Sequence, residues 1–136
     1  MPEMSEISLP SRLESVEEAA LRASEFAKDC GFEDETLFAV DLAVRESVAN
    51  AVKHGNKLEE SKNVELRFAD LAGGLEITVR DHGDGFAVDE IPDPTNPENL
   101  LKANGRGILF MKSFMDEVEW GNHPDGGMVV KMLKRR

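Results

Sequence analysis

VELRFADLAGGLEITVR, residues 64 to 80, sets the architecture of the whole chain. Val64, Leu66 and Phe68 alternate with Glu65, Arg67 and Ala69, and after Gly73 and Gly74 the same period of two returns: Leu75, Ile77 and Val79 alternate with Glu76, Thr78 and Arg80. Successive side chains of a strand point to opposite faces, so each run has one apolar and one polar face. The glycine pair between them predicts an antiparallel hairpin with one side buried.

Upstream the period lengthens. SVEEAALRASEFAKDCG (residues 15 to 31) places Val16, Ala19, Ala20, Ala23, Phe26, Ala27 and Cys30 on one helical stripe. Ser15 and Glu18 have the spacing of a capping box, and Gly31 supplies a stop. A second helix is expected from about Glu33 to His54, acidic where its dipole is positive and closed by Lys53, His54 and Gly55. Ile7 to Leu9 reads as a short edge strand.

Downstream, residues 87 to 104 show little periodicity and carry Pro92, Pro94 and Pro97, the pattern of a functional lid or a linker. A third helix is expected in GILFMKSFMDE, and EVEW, GNHPDGG and MVVKMLK predict a closing hairpin. The order of elements is that of an α+β fold: a two-layer α/β sandwich with helices on one face of a mixed, largely antiparallel sheet.

With 136 residues, 40% hydrophobic and 32% charged, the chain suits one globular domain spanning 1 to 136. Sixteen basic against 27 acidic residues give a formal charge of -11, which argues against general affinity for nucleic acid or an anionic membrane. A basic protein surface is the easier partner. Cys30 has no second cysteine to pair with and fits a small core residue in a reducing compartment. No apolar run reaches the length of a membrane span, and MPEMSEISLP is acidic where a secretory signal is basic, so the expected location is the cytoplasm.

Three short segments carry polar groups that the fold alone does not demand. In ESVANAVKHG (46 to 55), Glu46, Asn50 and His54 recur every four residues and share a helical face. The Asn50 amide oxygen is a hard ligand suited to Mg²⁺, and the Glu46 carboxylate is able to take a proton from a nucleophile. The same spacing also fits a helix with one solvated face, and His54 fits a partner for the helix dipole. In DHGDGF (81 to 86), Asp81 stands at a strand end, where a carboxylate can accept a hydrogen bond from an exocyclic amine, and the glycines allow close approach. Many such loops are only turns. In GRGILF (105 to 110), glycines at a helix N-terminus expose amides to phosphate oxygens, and Arg106 either reaches a phosphate or points to solvent.

In this order and spacing, the three segments resemble the N box and the two glycine boxes of the GHKL ATPases, which include gyrase and the histidine kinases. The compact length, the start SLPSRLESVEEAALRASEFA and the ending MDEVEW followed by GGMVVKMLK are most similar to the bacterial anti-sigma-factor serine kinases. The resemblance implies a Bergerat ATP-binding fold, ATP and Mg²⁺ as cofactors, and often a homodimer. It also implies a function: sequestering a sigma factor and phosphorylating an anti-anti-sigma (STAS-domain) antagonist on serine or threonine. By position, Glu46 would be the general base, Asn50 the Mg²⁺ ligand and Asp81 the adenine-reading carboxylate. Gly83 and Gly85 would shape the base pocket, and Gly105, Arg106 and Gly107 would hold phosphates beneath a lid around 87 to 104.

One departure bears on activity. Where many relatives carry a threonine after the glycines of the final hairpin, this chain has Met128 and Val129, neither with a hydroxyl. The loss of one such hydrogen bond to the nucleotide corresponds to about 1 kcal/mol. It motivates an alternative reading, a non-catalytic ATP-binding module that sequesters a partner without phosphorylating it. A detached histidine-kinase catalytic domain is disfavoured, because no phosphoacceptor helix pair lies ahead of residue 15. The spacings of Cys30 and the three histidines fit no common zinc pattern.

Overall fold

The computed structural model describes residues 4–71, 73–83 and 114–135. Its chain begins with β1 (Met4–Pro10), followed by α1 (Glu14–Asp29) and α2 (Asp34–Asn50). A π-helical turn (Ala51–Gly55) continues α2, and four strands follow: β2 (Asn63–Leu71), β3 (Gly74–Arg80), β4 (Glu117–Asn122) and β5 (Met128–Arg135). The described strands form one sheet in the order β1-β2-β3-β5-β4, with every described pairing antiparallel. The expected edge strand is β1, and both expected hairpins form. The lid segment and most of the expected third helix lie outside the described residues. Phe114 is helical, and the chain is already in β4 at Glu117.

The period-two pattern translates directly into burial. Opposite one another across the sheet stand Ile7, Leu66, Val79, Val130 and Trp120, with Phe68, Ile77, Met132 and Val118 in the neighbouring row. This inner face receives the two helices. α1 contributes Ala19, Ala23, Phe26 and Ala27, and α2 contributes Val40, Ala43, Val44 and Val48, all to one continuous core. The alanines let the helix backbones approach each other closely, while the branched residues of α2 fill the space above the strands. Phe26 and Phe68 meet across the two layers with ring centroids 5.7 Å apart. Cys30 joins the same core. No described helix is long and apolar enough to cross a membrane.

Two helix ends differ from their sequence signals. Ser15 does not cap α1. The N-cap position is Leu13, already helical and without a side-chain cap bond, and the buried Ser15 Oγ donates to the Pro10 carbonyl at 2.6 Å. Turn hydrogen bonds starting at Pro10 wind the chain before Ser15 is reached, which directs the hydroxyl back to the end of β1. Glu18 instead pairs with Arg22 one turn on. Gly31 does end α1, with φ of +87°.

At the other end of α2, Gly55 is not the residue that reverses the backbone. The winding loosens after Asn50, and the Asn56 N–H donates to the Ala51 carbonyl five residues back at 2.8 Å. The chain leaves through Lys57 and Leu58, both at positive φ. The four-residue register that links Glu46 to Asn50 therefore stops there, and the backbone at His54 follows the wider π turn.

Candidate functional site

The end of β3 and the exit of α2 converge. Asp81, the first residue after β3, is 6% exposed. Its N–H donates to the Met128 carbonyl at 3.0 Å, and its Oδ1 accepts from the N–H groups of Met128 and Gly83, each at 3.0 Å. The carboxylate is thus locked through one oxygen to the start of β5 and to its own loop. No described donor lies on Oδ2.

Three glycines surround this carboxylate because no side chain fits. A Cβ on Gly55 would overlap the Asp81 carboxylate, one on Gly83 would overlap the Gly55 carbonyl, and one on Gly127 would overlap the Asp81 carbonyl. Gly55, expected to end a helix, and Gly127, expected only as a turn residue, both serve close backbone approach. Gly83, a member of the expected glycine box, packs on the Gly55 backbone. Gly85, Gly105, Arg106 and Gly107 lie outside the described residues.

Behind the cradle is a polar network with no sequence signal. Asn56 is 1% exposed and Ser11 is fully buried. Asn56 Nδ2 donates to Ser11 Oγ at 2.7 Å and to the Asn63 carbonyl at 3.1 Å, while Oδ1 accepts the His82 N–H at 2.8 Å. Ser11 Oγ passes its own proton to the Lys62 carbonyl. Nothing in the residue types of HGNK distinguishes Asn56 from a surface turn residue; only tertiary placement buries it. The His82 ring lies on the other side, with Nε2 2.6 Å from Glu65 Oε2.

Glu46 and Asn50 sit one turn apart on α2, both half-buried, and neither side chain is hydrogen-bonded to a described residue. Their neighbours are committed: Ser47 Oγ donates to the Val44 carbonyl, and Arg45 reaches Asp41 at 2.9 Å and Glu17 of α1 at 2.6 Å. That clamp raises the Arg45 pKa above its ordinary value, chiefly through the hydrogen bond it donates to Glu17, and lowers that of Glu17 through the same bond. At a rise of about 1.5 Å per residue, Glu46 lies roughly 6 Å back along α2 from Asn50, and the π-helical turn separates Asn50 from Gly55. From the cradle back along α2, Asn50 therefore comes before Glu46.

The donor set fits a nucleotide and a divalent cation. An acceptor oxygen in a glycine-lined cradle suits an exocyclic amine. Among the described residues no group of three or more His, Cys, Asp or Glu forms a protein cage for a metal, and Asn50 offers a single amide oxygen. That is how Mg²⁺ is commonly held, by one or two protein ligands, with the remainder from water and phosphate.

Comparison with known proteins bears on the family and the fold. The family profile of the histidine kinase-like ATPase domain matches residues 9–134. The chain is 31% identical over 135 residues to the serine-protein kinase RsbW of Bacillus subtilis, covering 95% of this chain and 83% of that protein. It is 32% identical to the RsbW of Bacillus licheniformis with the same coverages. Among solved structures, the RsbU and RsbW domains of Rv1364c from Mycobacterium tuberculosis superpose with a TM-score of 0.72 at 18% identity, over 99% of this chain and 32% of that one. The catalytic domain of histidine kinase ThkA superposes with a TM-score of 0.62 at 14% identity, covering 98% and 97%. These structures share the fold.

Proposed function

The chain belongs to the histidine kinase-like ATPase family as a protein kinase of its RsbW branch, and we propose that it uses Glu46, Asn50 and Asp81 to phosphorylate an anti-anti-sigma (STAS-domain) protein. The observation that carries this reading is Asp81: a carboxylate with one oxygen locked to the backbone sits in a three-glycine cradle at the foot of the helix that bears Glu46 and Asn50. Asp81 accepts the adenine amine, Gly83 and Gly85 admit the base, and the phosphates run back along α2 beneath a lid around residues 87 to 104. Gly105, Arg106 and Gly107 supply donors to those phosphates.

Phosphoryl transfer depends mostly on positioning and charge neutralisation, so a short list of protein groups suffices. Bound Mg²⁺ supplies charge neutralisation across the phosphates, and Asn50 is the side chain that would hold it. Glu46 accepts the proton of a serine or threonine hydroxyl as that oxygen bonds to the γ-phosphorus and the bond to the β–γ bridging oxygen breaks, releasing ADP. The same surface, in the unphosphorylated cycle, sequesters a sigma factor. The protein acts in the cytoplasm as a homodimer. The formal charge of -11 favours a basic partner surface.

The test is transfer from Mg·ATP to a STAS protein shown to bind this chain. Glu46→Ala is expected to slow transfer by about 10²–10⁴-fold, the range for loss of a general base, while Mg·ADP still binds. Equal transfer by both proteins removes Glu46 from the base role. Tight partner binding with no transfer by wild type makes the output sequestration alone, the outcome that Met128, which lacks a hydroxyl, favours.

A further inference from the structure

We propose that Asn56 is a positioning residue for base recognition: its side-chain amide holds the Asp81–His82 peptide so that Asp81 offers Oδ2, which no described donor holds, to the exocyclic amine of adenine. This rests on the reading of Asp81 as the adenine-reading carboxylate. Asn56 would touch no nucleotide atom itself.

The argument begins with direction. Ser11 Oγ gives its one proton to the Lys62 carbonyl, so toward Asn56 it can only accept. The Asn63 carbonyl can only accept, and the His82 N–H can only donate. The amide of Asn56 therefore has one permitted orientation, with Nδ2 toward Ser11 and Asn63 and Oδ1 toward His82. Both amide protons and the oxygen are used in a site 1% exposed to solvent. Aspartate at this position would set an oxygen against the Asn63 carbonyl, and glutamine would need room for another methylene. Only asparagine joins two acceptors on one side to a backbone donor on the other at this reach.

What the amide holds is the backbone next to Asp81. Two restraints on the loop act through the carboxylate itself, the Gly83 and Met128 N–H bonds to Oδ1. A third, from the Asp81 N–H to the Met128 carbonyl, fixes the peptide on the side of β3. The following peptide, at His82, is fixed by Asn56 alone among the described side chains. Without it, the peptide that follows Asp81 loses its side-chain anchor, and the direction of the second carboxylate oxygen is set only by the bonds to Met128 and Gly83. The π turn makes this reach possible. By bonding the Asn56 N–H to Ala51 rather than one residue later, it brings residue 56 beneath the β3 loop while Gly55 packs on Asp81.

The experiment measures base discrimination rather than affinity alone. Calorimetric titration of the full chain with Mg·ADP and with the Mg²⁺ complex of purine riboside diphosphate, which lacks the 6-amino group, gives a preference ratio. Wild type is expected to favour ADP by about tenfold, the scale of one hydrogen bond to a charged acceptor. Asn56→Ala is expected to bring the ratio close to unity by weakening ADP and leaving the deamino nucleotide nearly unchanged.

A residue that only supported the fold would lower the melting temperature and weaken both nucleotides alike, and that result overturns the proposal. A folded Asn56→Ala protein that keeps the wild-type ratio also overturns it, while leaving the reading of Asp81 intact. No preference in wild type removes the reading of Asp81 and this inference with it. Should Asn56→Ala fail to fold, Ser11→Ala removes one of the two acceptors of the amide. A smaller fall in the same ratio is then expected, and an unchanged ratio overturns the proposal.

Discussion

Along the inner face of the sheet, Leu66, Phe68, Ile77, Val79 and Met132 are 1% exposed or less and meet the helices through apolar side chains. At the exit of α2, Asp81, Gly55, Gly83 and Gly127 meet through backbone atoms and one carboxylate. The first region tolerates small shifts, because dispersion contacts fall off gradually and neighbouring side chains can repack. The second cannot shift without breaking a directional bond or forcing two backbones to overlap. Stability is concentrated in one region and recognition in the other, and substitutions should separate them.

The largest expected effect is on stability alone. Phe68→Ala removes a ring that stacks against Phe26 and is 1% exposed. Truncations of this kind cost about 3–5 kcal/mol. A loss of that size in unfolding free energy, read as a lowered denaturant midpoint, is expected, with Mg·ADP affinity unchanged at temperatures where the variant stays folded. An affinity loss in the folded variant would mean that the core and the cradle are one cooperative unit, and the contrast drawn above would fail.

Gly83→Ala probes the opposite case. Its Cβ would overlap the Gly55 carbonyl, so the loop that carries Asp81 must move. Overpacking of this sort costs about 1–3 kcal/mol in stability, less than the Phe68 truncation, yet nucleotide affinity should fall by about tenfold or more. Gly121→Ala is the matched control, since nothing stands within 4 Å of its added Cβ. Equal nucleotide affinity in Gly83→Ala and Gly121→Ala would show that the close approach at Gly55 does not shape the site.

The two regions also differed in how far the sequence disclosed them. Alternation in 64 to 80 and the stripe from Ala19 to Cys30 produced the strands, the helices and the core, because burial of a periodic face depends on local spacing. Glu46, Asn50, Asp81 and Gly83 were recognisable as motif members. Asn56 and Ser11 were not, since each bonds residues far away in sequence: Asn56 to Ser11 across 45 positions and to His82 across 26. Gly55 does end the helical stretch, but that is only part of its role. A glycine after a helical run reads as a stop, and only the packing of β3 onto that turn shows a close approach. Ser15 failed similarly, because a local capping signal lost to a backbone turn that began at Pro10.

The smallest expected effect lies between the two regions, at the clamp that ties α2 to α1. Arg45 holds Glu17 with two bonds, at 2.6 and 3.2 Å, one residue before Glu46. The hydrogen bond from Arg45 lowers the Glu17 pKa from its ordinary 4.5, so the folded state favours the ionised carboxylate. A depressed folded value stabilises the protein above the unfolded pKa, and the gain is lost as pH falls through the folded one. Arg45 stays protonated throughout, its pKa being raised. Glu17→Gln should therefore be slightly less stable than wild type near neutral pH, and the two denaturation midpoints should converge as the pH drops below the ordinary glutamate range. The pair is exposed, so about 1 M salt should shrink the neutral-pH difference as well. If the difference persisted at low pH, packing of the side chain rather than its charge would account for the clamp. Because Glu46 follows Arg45 on the same helix, a small stability change with unaltered phosphate transfer would place the clamp with the core. Slowed transfer would place it with the site.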